Sequence, residues 1–153
     1  MTRALVRFPS RQGMAGTPWL DGDRMIIAVD VEDKGATAFY TSSDAGRSWR
    51  FIHQIPNWQG TVTFLSPKVW AGCSNGGSGA SCWSTDDGGA SWKHTTSSVL
   101  DRLEQISFAS ATHAWGVLDC TAPAWRISAQ CNPSVKSMLL ETTDGGATWR
   151  PIG

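Results

Sequence analysis

Thr142-Thr143-Asp144-Gly145-Gly146-Ala147-Thr148-Trp149 decides how this chain folds, because its pattern occurs three times. The other copies are Ser42-Ser43-Asp44-Ala45-Gly46-Arg47-Ser48-Trp49 and Thr85-Asp86-Asp87-Gly88-Gly89-Ala90-Ser91-Trp92. All three fit S/T-x-D-x-G-x-S/T-W, and five fixed positions do not recur by chance in 153 residues. A repeat of this length marks one structural unit used several times.

The octapeptide reads as a turn. Its Asp can accept backbone N–H bonds locally, as Asx turns do. The Gly two positions after the Asp supplies a positive φ. Its Trp (Trp49, Trp92 or Trp149) opens the next strand with the ring beneath the turn. Aligning on Asp44, Asp87 and Asp144 exposes a second repeated block upstream. Val62-Thr63-Phe64 leads through a polar turn to Val69-Trp70-Ala71-Gly72, and Ile106-Ser107-Phe108 leads similarly to Ala114-Trp115-Gly116-Val117. Alternating apolar residues around Ser/Pro/Thr turns predict paired strands, with Trp70 and Trp115 in the core. A third strand precedes each octapeptide, at residues 38–42, 82–85 and 138–142, and a fourth begins at each motif Trp. Arg24 to Val31 is the second strand of the first unit, whose first strand falls within residues 4–20. A weak helical period spans Val99 to Ile106.

The expectation is therefore all-β: three four-stranded antiparallel units at about residues 1–55, 56–98 and 99–153 in a single domain. Four-stranded units of this length are the form of propeller blades. Three blades fit either a partial propeller or half of a six-bladed ring completed by a homodimer.

Thirteen basic and thirteen acidic residues cancel and are interspersed. No basic stripe exists for a nucleic-acid backbone, so no nucleic-acid partner is expected. No apolar run reaches membrane-spanning length. The four cysteines form local pairs, Cys73 with Cys82 and Cys120 with Cys131, and none has metal-ligand spacing to a His. Two disulfides inside repeats are expected, which places the chain in an oxidising compartment, secreted or periplasmic. Residues 1–7 lack the apolar core of a signal peptide.

The three octapeptides resemble Asp-box repeats, also called bacterial neuraminidase repeats. These occur on β-propellers of sialidases, xyloglucan-cleaving glycosidases, sortilin-type receptors and photosystem II assembly factors. The Trp-Ala/Gly block followed by the motif looks most like the assembly-factor type and secreted bacterial sialidase-like proteins. In that family the box lies on the outer edge of the propeller, away from the ligand face. The resemblance implies a fold, with Asp44, Gly46, Trp49, Asp87, Gly89, Trp92, Asp144, Gly146 and Trp149 as structural box residues.

Sialidases carry an early Arg-Ile-Pro, and Arg7-Phe8-Pro9 stands at a similar place. The Tyr nucleophile has no match, since the only Tyr, Tyr40, falls inside the first unit. A glycosidase needs two carboxylates about 5–10 Å apart. Asp30, Glu32, Asp33, Asp101, Glu104 and Asp119 fall on the face opposite the octapeptides, and the sequence singles out no pair. That loop face also carries His53, Asn57 and Trp58, and Trp125 and Arg126 inside the Cys120–Cys131 loop. Aromatic rings with Arg or Asn beside them suit sugars or a protein surface. His53, His94 and His113 lie in different repeats, so no metal is expected. Ser74 to Ala80 is Gly-rich but lacks the Lys-Ser/Thr of a phosphate loop. The resulting expectation is a binding or scaffold module without catalytic residues or cofactor, recognising carbohydrate or protein through its loop face. The alternative is part of a glycoside hydrolase of sialidase-like or xyloglucanase-like type with an incomplete active site.

Overall fold

The computed structural model describes residues 13–74, 80–121, 131 and 134–152. These form thirteen strands and no α-helix: β1(Gly13–Ala15), β2(Trp19–Asp21), β3(Arg24–Val31), β4(Ala36–Ser42), β5(Arg50–Ile55), β6(Thr61–Phe64), β7(Trp70–Ser74), β8(Ser81–Thr85), β9(Lys93–Thr96), β10(Leu103–Phe108), β11(Ala114–Asp119), β12(Ser137–Thr142) and β13(Arg150–Pro151). They make three antiparallel sheets: β1/β2-β3-β4-β5, β6-β7-β8-β9 and β10-β11-β12-β13. Each is a propeller-type blade, with hairpin neighbours paired in chain order. In the first blade the innermost strand is split, and β1 and β2 pair with different stretches of β3. The helical period near Val99 becomes a single 3-10 turn at Leu100–Arg102, which buries Leu100 and leads straight into β10.

The registers align the blades residue by residue. Met25 opposite Ser42, Trp70 opposite Thr85, and Ala114 opposite Thr142 are equivalent pairs. Side chains alternate across a strand, so each blade has a leading side toward its predecessor and a trailing side toward its successor. Trailing residues Ile26, Ala28 and Phe39 of the first blade pack against Trp70 and Trp83 of the second. Phe39 is fully buried and lies 5.6 Å from the Trp70 ring and 4.8 Å from Trp92. Trailing residues Ala71, Cys73 and Cys82 of the second blade pack against Ala114, Leu118, Leu140 and Trp149 of the third. Both interfaces are thus side chains of one sheet inserted against the next. Leading residues Ile27, Val29, Val31, Ala38 and Tyr40 of the first blade form a separate buried cluster with Trp49.

Two disulfides tie neighbouring segments. Cys73–Cys82 joins directly opposed residues of β7 and β8. Cys120–Cys131 closes the loop between β11 and β12.

Candidate functional site

Each octapeptide closes the turn between the third and fourth strands of its blade. Asp44 Oδ1 accepts the Ser48 N–H at 2.9 Å, and Asp44 Oδ2 accepts the Ser48 hydroxyl at 2.6 Å. The Ser42 hydroxyl donates to Asp44 Oδ1 at 2.8 Å and accepts the Gly46 N–H at 2.9 Å. The same set recurs around Asp87, with Ser91 and Thr85, and around Asp144, with Thr148 and Thr142. Each motif Trp Nε1 donates to the carbonyl of the box glycine, at 3.1, 3.2 and 3.1 Å. Donors aimed at the ionised form hold it. The Ser48 hydroxyl lowers the pKa of Asp44 to about 2, and the Thr148 hydroxyl lowers that of Asp144 to about 2. The Ser91 hydroxyl shifts Asp87 downward in the same way. These carboxylates hold the turns through both oxygens.

The turns also clasp the blades. A Cβ on Gly89 would stand 2.8 Å from Trp70 Cζ3 and 3.1 Å from Ile52 Cγ2 of the first blade. A Cβ on Gly146 would stand 2.6 Å from Cys82 Sγ of the second. The Thr95 hydroxyl adds a 2.7 Å bond to the Gly145 carbonyl. Thr95 and Ile52 occupy equivalent places, three residues after the motif Trp.

Of the loop-face candidates, His53, Asn57 and Trp58 lie among the described residues. Trp58 is only 3% exposed, and its Nε1 donates to the Ser81 carbonyl at 3.2 Å. The Trp58 carbonyl accepts the buried Thr37 hydroxyl at 3.0 Å. This ring is a plug between the first two blades and offers no open face to a sugar, because the linker turns inward to fill the gap between the sheets. His53 is half-buried and stacks on Trp92 at 5.7 Å. Asn57 is exposed at a turn with φ of 53°. Trp125, Arg126 and Arg7-Phe8-Pro9 lie outside the described residues.

The loop carboxylates are dispersed. Asp30 accepts the Thr37 hydroxyl at 2.8 Å and lines a cavity of about 330 Å³ with Gly60, Val62 and Phe64. Asp119 accepts both the N–H and the hydroxyl of Thr121 at 2.7 Å, which lowers its pKa. Asp101 lies 3.9 Å from Arg102 Nε, and Glu32 and Asp33 sit on an exposed 3-10 turn. Glu104 lines a second cavity. Neither cavity gathers two of these carboxylates among the described residues, and Tyr40 lines neither. No group of three His, Cys, Asp or Glu among the described residues stands close enough to hold a metal ion.

The second cavity was not anticipated. It is a groove of about 420 Å³ along β10, from Thr61 and Cys73 of the second blade to Trp115, Val117 and Leu139 of the third. Glu104, Gln105 and Ser107 supply polar groups beside an apolar floor of Leu103, Ile106 and Phe108. β10 ends the strand order of its sheet, so one of its edges pairs with no strand among the described residues. A legible signal existed in Ala114-Trp115-Gly116-Val117-Leu118, which is apolar on both alternating faces and so needs cover on both.

This architecture defines an all-β array of propeller blades. No family model matches the chain, and no curated relative does. Similar solved structures include the GH74 xyloglucanase from Xanthomonas campestris, at 16% identity over 86% of this chain and 19% of that one, TM-score 0.47. YCF48 bound to D1 peptide is 13% identical over 97% of this chain and 69% of that one, TM-score 0.48. The GH74 enzyme of Niastella koreensis is 14% identical over 87% of this chain and 21% of that one, TM-score 0.45. The chain thus spans about a fifth of the two GH74 proteins.

Proposed function

We propose that the chain is a non-catalytic binding and scaffold module of the Asp-box type that grips an extended segment of a protein partner along β10. The observation that carries this reading is the groove itself, with an apolar floor, a polar rim and a strand edge that no strand among the described residues pairs with. An extended peptide can pair its backbone with such an edge while alternate side chains enter the groove. The loop face is the weaker candidate, because Trp58 is committed to packing. A carbohydrate partner would rest on Trp125 and Arg126. The two disulfides support a secreted or periplasmic setting, where such cross-links persist.

The test is a random-sequence peptide library screened beside a glycan array, followed by hydrogen exchange on any complex. Peptide binding that slows exchange across Leu103–Phe108 is the expected result. Glycan binding without peptide binding, or peptide protection elsewhere, would overturn the reading. Turnover of chromogenic glycosides, abolished by replacing Glu104 or Asp30, would favour the glycoside hydrolase alternative.

A further inference from the structure

We propose that the cleft between the first two blades binds a primary ammonium group on an alkyl stem, with Asp30 as its counter-charge. Asp30 lies near the end of β3, half-buried, in the wall of the cavity of about 330 Å³ between β1 and β6. Its one partner among the described residues is the Thr37 hydroxyl, 2.8 Å from Oδ1. That hydroxyl belongs to a fully buried residue and has a second acceptor, the Trp58 carbonyl at 3.0 Å. A hydroxyl carries a single proton. One proton therefore serves two acceptors, and Asp30 Oδ2 receives no hydrogen bond among the described residues. The ion pairs among the described residues leave Asp30 out. The third blade shows the contrast. Asp30 opposes Thr37 and Asp119 opposes Ser137 at matching register positions. Asp119 Oδ1 accepts both the N–H and the hydroxyl of Thr121, each at 2.7 Å. Asp119 thus draws two donors from its own chain, whereas Asp30 is short of donors in a cleft, where an uncompensated carboxylate is costly.

The cavity decides what supplies the missing donor. Beside Asp30 its walls are apolar, from Ala15, Ala28, Val62 and Phe64. A second hollow of about 350 Å³ adjoins it, sharing Thr17, Val62 and Phe64 and running to Leu20. An alkyl stem fits along these walls with its charged head at Asp30, as lysine stems lie on apolar surface. Thr37 engages Oδ1, which leaves one oxygen. That favours a compact ammonium over a guanidinium, whose planar fork pairs with both oxygens of a carboxylate. A lysine of a protein and a small free amine both present this group. Apart from Thr61, the cleft shares no lining residue with the groove along β10, so the site goes beyond the peptide grip proposed above.

Titration of the whole chain with n-butylammonium chloride at constant ionic strength, followed in amide proton–nitrogen correlation spectra, tests this. Saturable shifts are expected at the amides of Gly16, Thr17, Gly60 and Thr61. No such shifts are expected from n-butanol, which has the stem without the charge. Asp30→Asn should weaken butylammonium binding on the order of tenfold to a hundredfold. The same substitution should raise the urea midpoint, because its amide donates to Thr37 Oγ1 and leaves the Thr37 proton to the Trp58 carbonyl. Binding lost together with stability gained is an outcome that misfolding cannot mimic. Parallel titrations with N-acetyl-lysine methylamide and with diaminobutane separate a protein lysine from a free amine by which binds more tightly. No shift with butylammonium, equal shifts with butanol, a variant that binds like the parent, or a variant with a lowered urea midpoint would overturn the proposal.

Discussion

Replacing Gly146 by Ala probes the join between blades at one atom. Gly146 has a φ of +94°, and an added Cβ would stand 2.6 Å from Cys82 Sγ and 3.2 Å from Cys82 Cβ. That sulfur is bonded to Cys73, so it cannot rotate away. Two costs add. An L-residue in the left-handed region loses about 1–2 kcal/mol. Overfilling a packed contact loses about 1–3 kcal/mol. Gly145→Ala is the internal control, with a φ of +73° and a nearest neighbour, the Ala111 carbonyl oxygen, at 3.5 Å. It incurs only the first cost. The expected losses are therefore roughly 2–5 kcal/mol for Gly146→Ala and about 1–2 kcal/mol for Gly145→Ala. For a chain of this size the difference lowers the melting temperature by roughly 2–12 °C. Urea unfolding followed by Trp fluorescence, disulfides intact, measures both. Equal losses for the two variants would refute the clasp.

Two further outcomes concern the same turns and a third the disulfides. Ala45 occupies, with a φ of 56°, the place that Gly88 and Gly145 hold in the other repeats. Ala45→Gly should stabilise by about 0.5–1 kcal/mol, the relief of left-handed strain less the added chain entropy; urea midpoints check it. Folded-state pKa values of about 2 for Asp44 and Asp144 lie below the unfolded value of about 3.9. Their contribution is therefore present above about pH 4 and lost as pH falls toward 2. A pH titration of Trp emission should show loosening in that window, and Asp144→Asn should flatten it. Reducing both disulfides, which close loops at sequence separations of 9 and 11, should cost roughly 3 kcal/mol each; melts with and without reductant read this directly.

The blades were legible because their signals are local. Five motif positions name a turn, and period-two alternation names the strands beside it. Trp115, expected in the core like Trp70, aligns instead with Ala71 and is half-buried, with Ala114 in the place of Trp70. The split innermost strand of the first blade was not legible, since Thr17 and Pro18 interrupt it and its two pieces depend on β3 for definition. Val99 to Ile106 misled because apolar residues bury at both Leu100 and Leu103, a spacing that a 3-10 turn running into a strand also satisfies. Trp58 was misplaced for a related reason. A Trp in a linker looks available until the distance between blades is known, and here Gly60 lets that ring approach so closely that a Cβ would fall 2.5 Å from Trp58 Cζ2. The groove along β10 arises from two blades together, so no single segment announces it.

The second and third octapeptides hold their blades against the one before through Gly89 and Gly146. Native-state hydrogen exchange of the Gly89 and Gly146 amides tests this most directly. Each donates to a threonine hydroxyl, at 3.0 Å in both turns, inside a buried contact. Both amides should exchange as slowly as the core amides of β7 and β11, through global unfolding. Exchange at the rate of an open surface turn would contradict it.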